Sequence, residues 1–138
     1  MKKTPLQTDD RRSTRRGIFS LELALTLPIL GVVLLGLFEF SLLFFARGSV
    51  VEASRVAART ASLPGVGPEA VERSVRNVLS SRLRRGMKIR MNLGEQTGDV
   101  VVVGIRVPMR MAAPDLLWPI GVGLAGRDLY SETRMIKE

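Results

Sequence analysis

Three observations predict an α+β fold, in which one long N-terminal transmembrane helix is followed by a shorter helix and a small three-stranded antiparallel sheet. Residues 18–46 form a block of 29 positions with two charges, Glu22 and Glu39. The segment PEAVERSVRNVLSSRLRRG repeats its apolar residues at helical spacing. Two later runs, from Met87 to Leu93 and from Val100 to Met109, have the composition and spacing of strands, and DLYSETRMI supplies a third.

The apolar block sets the architecture. As a helix rising about 1.5 Å per residue it is ~43 Å long, more than the ~30 Å hydrocarbon core of a bilayer. The stretch from Leu23 to Phe38 carries no charge at all. Ahead of it, residues 1–17 hold Lys2, Lys3, Arg11, Arg12, Arg15 and Arg16 against Asp9 and Asp10, which is half of the formal net charge of +8. That polar segment, with no apolar periodicity, reads as a disordered basic leader. A basic cluster beside a span stays in the cytoplasm, so the N-terminus is expected inside and residues beyond about 46 outside the cytoplasmic membrane. Topology thus accounts for the basicity, and nucleic acid is not an expected partner.

Beyond the span, Val50, Ala53, Ala57 and Ala61 recur at helical spacing, so the helix should continue through residues 47–63 until Pro64, Gly65, Gly67 and Pro68 break it. Pro68 suits the first turn of a new helix, whose stripe is Val71, Val75, Val78, Leu79 and Leu83 and whose C-cap is expected at Gly86. Met87, Ile89, Met91 and Leu93 alternate with polar residues, and the turn-rich GEQTGD joins them to VVVVGIRVPM as a hairpin. An apolar loop from Ala112 to Gly126 precedes the last strand. Its Leu116, Leu117, Trp118 and Ile120 suit a partner surface or the membrane interface, or else fold back on the sheet. Residues 64–138 alone are near the lower size limit for one stable core, so the extramembrane part of the first helix is expected to serve as packing surface.

With no cysteine and no histidine, the chain has no disulfides, no zinc site and no histidine-based triad. No cofactor and no enzymatic activity are expected. The GVGLAG run from Gly121 to Gly126 fits a dinucleotide-binding spacing, but too few residues follow it to build the βαβ unit such a site needs. Pro28, Gly31 and Gly36 are equally readable as packing features or as ordinary residues of a spanning helix. A secretory signal peptide has an apolar core of about 7–15 residues, roughly half of what stands here.

In RRGIFSLELALTLPIL, a basic segment ends at Gly17, an apolar helix starts at Ile18, and an acid stands at its fifth residue, Glu22. Acids within apolar spans are costly and are held there by function, although one near the edge can also reach for headgroups. This pattern resembles the processing site of type IV pilins and pseudopilins. LPILGVVLLGLFEF followed by VVEASRVAARTAS resembles the TadE-like family of the tight-adherence (Flp pilus) system, and the terminal TRMIKE also resembles the end of such proteins. The resemblance implies a pilin-like fold and a minor pilin or pseudopilin, cut by a prepilin peptidase between Gly17 and Ile18. It also implies that Glu22 acts in assembly. The partners implied are the lipid bilayer, the prepilin peptidase, other pilin-like subunits and the pilus assembly machinery. The leader and the loops depart from the family pattern, and the short chain speaks against the large extra domain of many TadG-like members.

The glutamate also has a role on physical grounds alone. Cleavage after Gly17 frees the Ile18 amine about one helical turn from Glu22, or within reach of a neighbouring subunit's Glu22. In a low-dielectric bundle such a pair is strongly attractive, and either member alone is costly. The competing expectation is an uncleaved single-pass anchor carrying an extracytoplasmic binding module. The two differ in whether Ile18 or Met1 is the first residue.

Overall fold

The computed structural model of the chain describes residues 11–138, with side chains from Ser20 onward. Its elements are α1 (Arg11–Ser62), α2 (Pro68–Val78), α3 (Ser81–Arg84), β1 (Lys88–Asn92), β2 (Val100–Pro108), α4 (Met109–Ala112) and β3 (Asp128–Ile136), with a 3₁₀ turn at Trp118–Ile120. The fold is the α+β arrangement expected from the sequence. α1 starts at Arg11, so residues 11–17 are helical where an unstructured leader was expected. Extending an existing helix gains a hydrogen bond for each residue fixed, and Arg is a good helix former. Residues 1–10 of the leader lie outside the described residues.

The chain divides into two units, residues 1–35 and 36–138, and α1 contributes to both. Within the first unit, α1 exposes Leu21, Leu23, Leu25, Leu27, Ile29, Leu30 and the run Val32–Leu35. No soluble core covers these side chains. From Ser20 onward α1 is long and apolar enough to cross a membrane.

The second unit is a small domain whose core is organised around the last turns of α1. Its sheet has the order β1-β2-β3, antiparallel throughout. Register pairs Ile89 with Ile105 and Met91 with Val103 on one side, and Val103 with Thr133 and Val107 with Leu129 on the other. The strand period of two sends Val101, Val103, Ile105 and Val107 to one face, where all four are fully buried. Against them pack Val50, Ala53, Ala57, Ala58 and Ala61 of α1 and Val71, Val75 and Leu79 from the α2 region. The α1 contribution is almost entirely alanine, which lets the helix approach the sheet closely. Ser54 is also fully buried, and its hydroxyl lies 2.9 Å from both Ser131 Oγ and Thr133 Oγ1 while donating to the Val51 carbonyl.

The expected helix from Pro68 to Gly86 is two pieces. Leu79 turns extended (φ −79°, ψ 140°), burying its side chain, and Ser80 and Ser81, weak helix formers, sit at the break. Arg84 Nε then donates to the Leu79 carbonyl at 2.7 Å, satisfying an acceptor left by the interrupted ladder. Gly86 is not a left-handed C-cap; it allows close packing, since a Cβ there would lie 3.0 Å from Pro108 Cδ and 3.1 Å from Met111 Cγ.

At the other end of the sheet the β1–β2 turn is closed by Asp99. Its Oδ2 accepts the backbone N–H groups of Glu95 and Gln96, both at 2.9 Å. Gly94 in this turn has φ +60°, and a Cβ there would be 2.7 Å from Asp99 Cβ. Lys137, the residue after β3, clasps the turn, with its Nζ donating to the Gly94 carbonyl.

Two outcomes are expected. Ala57→Leu overfills the interface and destabilises the domain by about 1–3 kcal/mol, whereas the exposed Arg59→Ala stays within about 0.5 kcal/mol; hydrogen exchange of β2 amides in the full chain in micelles reads both. The two N–H bonds hold the Asp99 carboxyl below its ordinary value of 3.8. A depressed carboxyl contributes stability above its unfolded value and loses it as pH falls through the folded one. The Gln96 amide resonance should therefore titrate with a midpoint below 3.8.

Candidate functional site

Of the residues singled out by sequence, Gly17 and Ile18 fall within the bounds of α1, and their side chains lie outside the described residues. Glu22 is exposed on α1 among exposed Leu21, Leu23 and Leu25, and its backbone carbonyl accepts the Thr26 hydroxyl at 2.8 Å. Its carboxylate is thus presented on an apolar helical surface.

The other acid of the apolar block has a different setting, and its role was not assigned from sequence. Glu39 is 3% exposed. Its Oε2 accepts two backbone N–H groups, from Leu116 at 2.9 Å and from Leu117 at 3.2 Å. These residues belong to the apolar loop between α4 and β3, so the carboxylate pins that loop onto α1. Beside the pin, Gly36 leaves room for Leu117, whose Cδ1 would meet a Cβ there at 3.4 Å. The signal available in the sequence was general: an acid inside an apolar run needs a polar partner. Nothing in the sequence identified loop amides 77 and 78 residues away as that partner.

The loop is internally braced. Ile120 and Val122 donate to the Leu117 carbonyl, Gly121 donates to that of Trp118, and Asp115 Oδ1 accepts the Leu124 N–H at 3.2 Å. Its apolar tip is nevertheless open, with Trp118 68%, Ile120 56% and Val122 47% exposed. The loop does not fold its tryptophan away on the sheet.

A second surface lies on the outer face of the sheet. Lys88, Arg90 and Arg106 surround Gly104 and Tyr130 in a shallow depression, and the Arg106 guanidinium stands 5.8 Å from the Tyr130 ring centroid. The Tyr130 hydroxyl donates to Glu132, which holds that carboxyl below the ordinary range together with Arg134 and pushes the phenol upward. These groups are solvent-facing, and exposed pairs such as Arg134 with Glu132 contribute little to stability. Among the described residues no cluster of His, Cys, Asp or Glu is arranged to hold a metal ion.

Removing the pin has a defined effect. Glu39→Ala leaves two buried N–H groups without an acceptor, a loss of about 1–3 kcal/mol, so the amides of Leu116 and Leu117 should exchange roughly 5- to 150-fold faster than in the parent. Glu39→Gln retains an acceptor oxygen and should lie between. Unchanged exchange in Glu39→Ala would show that the loop is held by packing alone.

No curated protein and no solved structure matches the chain. A family model described as TadE-like protein matches residues 17–59, the stretch that holds Gly17, Ile18, Glu22, Glu39 and most of the small-residue face of α1. Over those residues, about a third of its length, the chain is similar to TadE-like proteins.

Proposed function

We propose that this protein is a minor pilin or pseudopilin of a tight-adherence pilus, anchored through α1 with its small domain outside the cytoplasmic membrane. A prepilin peptidase cuts it between Gly17 and Ile18 on the cytoplasmic side, and the mature subunit acts in pilus assembly and surface adhesion. The observation that carries this reading is the family match beginning at residue 17, joined to an exposed acid at Glu22 on an otherwise apolar helical surface.

The chemistry follows from those positions. Cleavage converts a peptide nitrogen into the Ile18 amine, whose charge the Glu22 carboxylate compensates in the same helix or across to a neighbouring one. Register between packed helices is then set by a charge pair in a medium where an unpaired partner is costly. The surrounding leucines supply the low dielectric and the packing surface for other pilin-like subunits and for the assembly machinery.

The alternative is an uncleaved single-pass anchor carrying a binding module. N-terminal sequencing of membrane-extracted protein separates the two: Ile18 is expected first, and Met1 would refute the pilin reading. Replacing Gly17 with a bulky residue should leave the full-length precursor inserted in the membrane. Glu22→Ala should be cleaved and inserted yet absent from the sheared surface fraction, and Glu22→Asp should be partly incorporated. Normal incorporation of Glu22→Ala would sink the charge-pair mechanism.

A further inference from the structure

We infer that the loop Leu116–Val122 is a second membrane-contacting element, seated in the bilayer leaflet on the domain's side, with Trp118 at its tip. The inference rests on the reading of α1 as a membrane span.

The loop's depth follows from where it is fastened. Its amides bond Glu39 and its Leu117 side chain lies beside Gly36, positions 8 and 11 residues before Arg47, the first charged residue of α1 after Glu39. At about 1.5 Å per residue these points lie roughly 12 and 16 Å below Arg47 along the helix. Arg82 stands beside Leu42, Phe45 and Ala46 and sets the headgroup level lower on the helix than Arg47, so Glu39 lies roughly 5–10 Å beneath it, in the outer part of a leaflet that contributes about half of a ~30 Å hydrocarbon core.

The surface around it has matching chemistry. Leu37, Phe38, Phe40, Phe44 and Phe45 of α1 are 56–74% exposed over the same stretch of helix, so the loop's open Trp118, Ile120 and Val122 continue an existing apolar belt. Higher up, Arg82 lines an open groove with Leu42, Phe45 and Ala46, where its long side chain can reach headgroups.

Irregular backbone is tolerated at such depth only when its polar groups are paired within the protein. The amides of Leu116, Leu117, Ile120, Gly121 and Val122 are so paired, which leaves the backbone N–H of Trp118 and the carbonyls from Pro119 to Val122 to be met at the headgroup level, where water is at hand. Glu39 therefore removes the cost of placing two of the loop's amides beneath that level. A tryptophan at this level suits the interfacial zone, where its ring is apolar and its N–H finds a polar partner.

Trp118 is the chain's single tryptophan, so its fluorescence reports the loop alone. The full chain is reconstituted into phosphatidylcholine vesicles that also contain phosphatidylglycerol. Lipids brominated near the glycerol end of the acyl chain should quench most of its emission, those brominated near the methyl end less, and aqueous iodide little. Ile120→Glu should reverse the order, making iodide the effective quencher while β2 amide exchange is unchanged. Iodide quenching of the parent without bromolipid quenching, in a chain that resists alkaline carbonate extraction, overturns the loop's placement and leaves the span intact. Release of the chain by carbonate overturns both. Shielding from both quenchers that is lost when the protein is diluted in lipid assigns the patch to a second copy of the chain and also overturns the inference.

Discussion

The small domain depends on one constraint: a sheet of three strands and a short helix cannot bury enough apolar surface by themselves, so they borrow the last turns of α1. Val50, Ala53, Ala57, Ala58 and Ala61 occupy the face toward Val101, Val103, Ile105 and Val107, and all are buried. Alanine at four of the five α1 positions keeps the helix backbone near the sheet, and the Ser54 hydroxyl fixes β3 over it through Ser131 and Thr133. One helix therefore carries two patterns in succession, apolar on all sides where it is exposed and a narrow small-residue stripe where it supports the domain. The transition between them lies near Ala46, which is already buried, beside exposed Phe44 and Phe45.

Much of this was legible in the sequence because it depends on local periodicity. β3 runs from Asp128 to Ile136 as DLYSETRMI indicates, and the alternation of Met87, Ile89, Met91 and Leu93 foretold the hairpin. The break after Val78 was not legible, since the stripe Val71, Val75, Val78, Leu79, Leu83 fits a single helix. Only tertiary packing of Leu79, with Arg84 returning to its carbonyl, reveals two. Gly86 misled for a related reason. A glycine after a basic turn suits a C-cap, but here the absent side chain makes room for Pro108 and Met111.

The candidate site divides in the same way. Gly17, Ile18 and Glu22 are proposed from their order along the chain, a basic stretch, a small residue, an apolar helix and an acid. Glu39 carries no such order. Its role comes from two amides at Leu116 and Leu117 brought to it by the fold, and no pattern within the helix foreshadows them. The two acids of one apolar block thus have opposite settings, one exposed and one enclosed by its own chain.

The bonds from Ser54 to Ser131 and Thr133, spanning 77 and 79 residues, also bear on the order of events during biogenesis. β2 is the central strand, and β3 supplies one of its two pairings and part of the cover for α1. Contacts so distant in sequence form slowly because the intervening loop must close first. Until β3 has joined the sheet, the alanine face of α1 and the unpaired edge of β2 remain open, and an open strand edge is a template for wrong pairing. Completion of the domain consequently waits on the end of the chain, and any delay in supplying the last strand prolongs the life of an aggregation-prone intermediate.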